Sequence, residues 1–132
     1  MDAPAEQRDP IRDYRDLIVW KESMDLAVDI YALTRSFPRE EAFGLTSQLR
    51  RAASSIPANI AEGFGRAQRR PFIQFLRVAQ GSLKELETHV TLAERVGYLE
   101  SSAVSGLTSR CELLGKRLVS FVRSLEREGG RT

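Results

Sequence analysis

Six polar side chains, Gln48, Arg51, Ser55, Asn59, Glu62 and Arg66, recur at intervals of three, four, four, three and four residues. On a helix this spacing aligns them along one flank, where two amides, a hydroxyl, a carboxylate and two guanidiniums could hold an anion or orient water. Catalysis would need a base or a metal beside them. The chain has one histidine, His89, and one cysteine, Cys111. A single histidine cannot supply the paired Glu-x-x-His units of a di-iron bundle, and Glu85 precedes His89 by four residues instead of three. No GxSxG elbow accompanies His89 as the base of a serine hydrolase. No GxxxxGK[ST] phosphate loop is present, and Gly63-Phe64-Gly65 follows a helical pattern where a dinucleotide fingerprint requires a strand. One cysteine excludes an internal disulfide and a multi-cysteine metal site. These residues therefore predict no catalytic site, no metal and no cofactor, with His89 paired to Glu85 one turn earlier and Cys111 buried as a small apolar group.

The elements that position these residues read as helices throughout. Between Asp16 and Phe37, Leu17, Trp20, Met24, Ala27, Val28 and Tyr31 form one apolar stripe, and Val19, Leu26, Ile30, Leu33 and Phe37 form another. Together they cover roughly 220° of the helix, more than one bundle core uses, so this helix is either central in its domain or packs its extra stripe on another subunit. Ser36-Phe37-Pro38 with Glu40 and Glu41 marks a helix start that Gly44 interrupts. Leu45 to Glu62 resumes the pattern, with Leu49, Ala52, Ala53, Ile56 and Ile60 inward and Gly63 and Gly65 as left-handed caps. Pro57 falls inside this helix, where it costs about 3 kcal/mol in ideal geometry. The small residues Ala52, Ala53, Ser54 and Ser55 make a kink the expected outcome.

A third helix starts near Pro71 and ends near Gly97, and a fourth runs from about Ser101 to Glu128 along Val104, Leu107, Cys111, Leu114, Leu118, Phe121 and Leu125. Gly81 in the third helix costs about 1 kcal/mol relative to alanine and predicts a close neighbour. Val78, Gly81, Glu85, His89, Leu92 and Val96 form a second seam on that helix. Short connections then predict an all-α, antiparallel up-and-down four-helix bundle. Residues 1–12 read as a mobile tail, 13–128 as the bundle and 129–132 as a C-terminal tail.

The 132 residues suffice for one core, and the net charge of +2 is unevenly spread. Residues 1–31 carry eight acids against four bases, whereas residues 46–84 carry seven bases against Glu62 alone. No apolar run spans a membrane and the first residues are unlike a signal peptide, which predicts a cytoplasmic protein.

The run GLTSQLRRAASSIPANIAEGFGR, with FIQFLRVAQGSLKELE after it and Leu17-Ile18-Val19-Trp20 before it, resembles the bacterial four-helix-bundle family encoded in intervening sequences of 23S ribosomal RNA genes. The resemblance spans about residues 16 to 125. It implies an antiparallel bundle assembled as a homopentamer, as in the similar accessory protein of diversity-generating retroelements, which binds nucleic acid and a reverse transcriptase. The family has no established activity. The motif positions carried over are Gln48, Arg50, Arg51, Ser55, Pro57, Asn59, Glu62, Gly63, Arg66, Gly81, Ser82 and Glu85. The chain departs from the pattern after the motif. Gln68 and Pro71, flanking Arg69 and Arg70, stand where the family has a serine and an acid to cap the third helix.

The leading functional expectation is a non-enzymatic, oligomeric protein that binds RNA or DNA backbone through Arg50, Arg51, Arg66, Arg69, Arg70 and Arg77. The alternative is an oligomeric scaffold that docks a partner protein, with the arginines in structural ion pairs. For the polar seam of Gln48, Ser55, Asn59, Glu62 and Glu85, a structural or subunit network, a ligand or nucleic-acid contact, and plain solvation all stay open.

Overall fold

The computed structural model describes residue 7 and residues 10–130. Four helices carry the fold: α1 (Ile18–Thr34), α2 (Leu45–Gly65), α3 (Arg69–Arg95) and α4 (Ser101–Gly130), with 3-10 turns at Tyr14–Asp16 and Arg39–Glu41. Among the described residues there is no strand. α1 packs on α2, α2 on α3, α3 on α4, and α4 closes back on α1. This is the all-α four-helix bundle that the apolar periods predict. Cross-helix pairs order the packing: Ser55 meets Ser82, Arg77 meets Glu126, and Glu22 and Asp29 meet Arg117 and Arg110.

The core follows from the periodicity. Leu49, Ala53, Ile56 and Ile60 of α2 are fully buried against Phe72, Leu76, Ala79 and Leu86 of α3, while Leu114, Leu118, Phe121 and Leu125 line α4. Phe72 sits edge-on to Phe121 at 5.3 Å and to Phe64 at 6.0 Å. Burying each such ring contributes about 1.5–3 kcal/mol, and each edge-to-face pair about 0.5–1.5 kcal/mol more.

α2 continues through the buried Pro57 to Gly65. The two glycines near its end differ from their predicted role. Both lie within the helix, and the left-handed residue after it is Ala67, at φ 57°. Gly63 is instead a contact residue, because a Cβ there would lie 2.6 Å from Phe75 Cβ and 2.9 Å from Phe72 Cδ1. The absent side chain lets α2 approach α3. Gly81 also departs from expectation, since nothing lies within 4 Å of the space its Cβ would fill.

At its other end α2 begins at Leu45, after Gly44, and the predicted earlier start is only the turn at Arg39–Glu41. Glu41 Oε1 accepts the Leu45 amide at 3.0 Å, satisfying one of the free N–H groups of the first turn. Its Oε2 accepts the Tyr98 hydroxyl at 3.0 Å, and that bond raises the Tyr98 pKa above its ordinary value. One carboxylate thus joins the start of α2 to the α3–α4 connection. Ahead of α1, Gln7 accepts the Ile18 amide at 3.0 Å and donates to the Asp16 carbonyl at 2.7 Å. Of the rest of the predicted tail at 1–12, residues 1–6 and 8–9 lie outside the described residues, and the Arg12 amide donates to Asp16 Oδ2 at 2.8 Å. At the far end α4 extends through Gly130, beyond the predicted boundary at Glu128, and residues 131–132 lie outside the described residues.

The two apolar stripes of α1 divide within the first: Leu17 and Ala27 enter the core with Val19, Leu26, Ile30 and Phe37 of the second, whereas Met24, Val28 and Tyr31 remain 37, 61 and 42% exposed. Val78 and Leu92 on α3, and Val96 just after it, all of the second seam, are also exposed.

Gly63→Ala gains helix propensity but forces two phenylalanines to shift, for a net destabilisation of about 1–2 kcal/mol. Gly81→Ala should stabilise an isolated chain by about 0.5–1 kcal/mol. Urea denaturation checks both, and a Gly63→Ala midpoint at or above that of the parent chain would contradict the close-packing role.

Candidate functional site

The polar seam is brought together only in its middle. The Ser55 and Ser82 hydroxyls share a 2.8 Å hydrogen bond, and Asn59 Nδ2 donates to the Ser55 carbonyl at 2.8 Å and to Ser55 Oγ at 3.0 Å. The amide nitrogen must face Ser55, because a carbonyl oxygen can only accept. Ser82 is buried, and Ser55 and Asn59 are half-buried. This short network ties α2 to α3 and leaves neither serine poised as a nucleophile. Glu62 stands apart in an exposed pair with Arg66 at 3.1 Å. Gln48 and Arg51 are exposed toward the start of α2. Glu85 is exposed on α3, 3.9 Å from His89 Nε2, in the pairing that the four-residue spacing predicts.

The six arginines divide by what they touch. Arg50 turns toward α1, where Nε donates to Thr34 Oγ1 at 2.9 Å and the guanidinium lies 4.7 Å from the Tyr31 ring centre. Arg50 also donates to the Tyr31 carbonyl at 3.4 Å, so it closes the C-terminal turn of α1. Arg66 pairs with Glu62 and lies 5.2 Å from the Phe75 ring centre, and Arg77 bridges to Glu126 at 2.9 Å. The guanidinium of Arg69 rests over Gly129 at the end of α4. Arg51 and Arg70 are exposed and make no ion pair among the described residues. Along α2, Arg51 and Arg66 are separated by about 22 Å. The basic strip is therefore a corner at Arg66, Arg69 and Arg70, with Arg51 remote from it. Gln68, which precedes α3, makes no side-chain capping bond, so the first-turn amides of α3 face the same corner without a side-chain cap.

Residues 15–120 match the family described as 23S rRNA-intervening sequence protein. The chain belongs to this family. A crystal structure of a protein of unknown function from the S23 ribosomal protein family of Bacteroides thetaiotaomicron is similar, at 25% identity and a TM-score of 0.73. The match covers 80% of this chain and 96% of that one. No curated protein matches. The family assignment thus fixes lineage and architecture.

Sequence reasoning missed a groove between α3 and α4 of about 900 Å³. Lys116, Ser120, Arg123 and Arg127 follow one another along its edge at intervals of four, three and four. That period was available in the sequence, but only the apolar positions of α4 were read from it. Among the described residues, no three His, Cys, Asp or Glu side chains gather as metal ligands, and no helix is long and apolar enough to cross a membrane.

Cys111 lies on the floor of this groove, and burial, reinforced by the charge of Glu87, pushes its thiol up to about 11. At pH 8 about one molecule in a thousand then carries the reactive thiolate. Iodoacetamide should label the folded chain at least about tenfold more slowly than the urea-unfolded chain. Equal rates would show that the thiol is neither shielded nor shifted.

Proposed function

We propose that the protein is a non-enzymatic, cytoplasmic homo-oligomer that binds RNA backbone through the corner where α2 ends and α3 begins. The observation that carries this reading is the gathering of Arg66, Arg69 and Arg70 beside the N-terminus of α3, with Arg70 exposed and unpaired. Guanidiniums and first-turn amides both favour phosphate, and neither reads base identity. Cations and helix end together suit phosphates without sequence preference. Arg50 and Arg77 fit less well, since their contacts with α1 and Glu126 are those of structural residues.

The exposed stripe of Met24, Val28 and Tyr31 supports assembly, because a groove of about 510 Å³ lined by these residues and by Trp20, Pro57 and Ala61 is left open among the described residues. A pentamer, as the family resemblance implies, would place five copies of the corner on one particle. Multiplication of weak phosphate contacts raises retention without new contacts.

Arg69→Glu/Arg70→Glu should weaken binding of a 30-nucleotide RNA by at least about tenfold at low salt, and log K of the parent chain should fall linearly with log salt. Arg50→Met should instead destabilise the fold by about 1–2 kcal/mol with little loss of RNA affinity per folded molecule. RNA binding unchanged in the double charge reversal would reject the corner as the interface and favour the scaffold reading. Light scattering tests the assembly separately. Met24→Glu/Val28→Glu should convert the oligomer to monomer, whereas a monomeric parent chain would remove the assembly claim.

A further inference from the structure

The α3–α4 groove is lined by none of the residues of the polar seam or of the proposed phosphate corner. Its α4 edge is a straight line of Glu112, Lys116, Ser120, Arg123 and Arg127, extending about 22 Å at 1.5 Å per residue. The floor is apolar, formed by Leu83, Cys111 and Val119. Both helices contribute a glycine. Gly115 leaves its Cβ position 3.5 Å from Leu83 Cδ2, and Gly81 opens onto empty space. A third helix could therefore approach at Gly81 without meeting a side chain, while Gly115 keeps α4 close to Leu83 on the floor.

The charge on the edge has no internal answer. Arg77 is taken by Glu126, and Lys84 pairs with Glu87 on its own helix. Lys116, Arg123 and Arg127 are exposed and form no ion pair among the described residues. Glu112, at one end, is the lone acid lining the groove. An occupant must consequently combine an apolar surface for the floor with negative charge along one side.

Nucleic acid meets only half of this requirement. A single strand held in a groove stacks its bases on aromatic rings, and no aromatic side chain lines this one. The apolar floor would face a charged backbone with nothing to gain. An amphipathic helix meets both halves, placing its stripe on the floor and its flank against the cations. We infer that the α3–α4 groove is the docking site for an amphipathic helix of a partner protein, one whose apolar stripe is bordered by acidic residues. This assignment uses none of Arg66, Arg69 and Arg70 and stands apart from the RNA reading.

The probe is a fluorescein-labelled, end-capped helical peptide of about 18 residues, long enough to span the edge, with leucines at three-four spacing and glutamates beside them. Titrated with the full chain at low salt, it should bind saturably, and Lys116→Glu/Arg123→Glu/Arg127→Glu should weaken binding at least about tenfold. Arg69→Glu/Arg70→Glu should leave it unchanged. The same peptide with lysine for glutamate, or with its leucines scrambled, should not bind. Amide shifts of Gly81, Gly115 and Val119 in the unsubstituted chain give a readout that needs no variant. Absence of binding, binding indifferent to the triple reversal, or shifts confined to other faces would overturn the assignment. Binding of a 16-nucleotide oligouridylate that depends on the same three cations, without peptide binding, would overturn it in favour of RNA.

Discussion

The close approach of α2 to α3 is the constraint on which the rest of the bundle depends. Gly63 lies directly against Phe72 and Phe75, and Ser55 reaches Ser82 at 2.8 Å one further stretch along. Two helices this near must be lined by small residues, which accounts for Ala52, Ala53 and Ser55 ahead of Pro57 and for Ala79 opposite. A small lining buries less apolar area per residue, and the larger side chains make up for it at the margins. Phe64, Phe72 and Phe121 form a chain of edge-on rings beside the glycine contact. The polar network of Asn59, Ser55 and Ser82 is affordable at this interface because each group finds a partner within it. A buried hydroxyl left alone would cost about 1–3 kcal/mol.

That constraint also separates what was legible in the sequence from what was not. Helix number, order and inward faces follow from three-four periodicity, which reports burial directly, so Leu49 to Ile60 and Val104 to Leu125 were readable. Glycines were not. A glycine in a helical pattern marks either a left-handed residue or a close neighbour, and periodicity cannot distinguish them. Gly63 and Gly65 read as caps, yet the chain leaves α2 through Ala67 at positive φ and uses Gly63 for packing. Gly81 invited the opposite assignment and has open space beside it. The candidate site divides in the same way. The His89–Glu85 pair depends on local spacing and was readable, whereas the fate of Arg50 depends on where α1 ends in space.

Charge is distributed by the same geometry. α1 meets α4 through Glu22 with Arg117 and Asp29 with Arg110, which spends part of the acidic excess of the first 31 residues on the bundle itself. The excess of bases between residues 46 and 84 is answered only in part, by Glu62, Glu87 and Glu126, and its arginines include two kinds. Arg50 and Arg77 are held by neighbouring helices, while Arg70 is exposed and forms no ion pair among the described residues. Surface ion pairs contribute little to stability, so the structural arginines matter more for orienting elements than for holding them. Arg50 illustrates this, because one guanidinium meets the Thr34 hydroxyl, the Tyr31 carbonyl and the Tyr31 ring at the turn where α1 gives way to α2.

The motif around SSIPANIAEGFG carries a set of residues that could have been an active site, and its geometry argues for an architectural use. An enzyme site keeps reactive groups accessible and convergent, with a base within hydrogen-bond reach of a nucleophile. Here Ser55 is bonded to Ser82 and Asn59, Glu62 is turned to Arg66 in solvent, and the one histidine pairs with Glu85 on α3. Nothing converges. The same residues do bring α2 and α3 to a fixed separation, and that separation sets where Phe72 packs in the first turns of α3 and where the guanidiniums at its start are held. The apolar stripe of α1 and the groove beside α4 lie on the outer faces of the bundle, away from this contact. The surfaces proposed for recognition thus lie around the rim of the molecule, and its most cohesive motif serves to keep that rim in place.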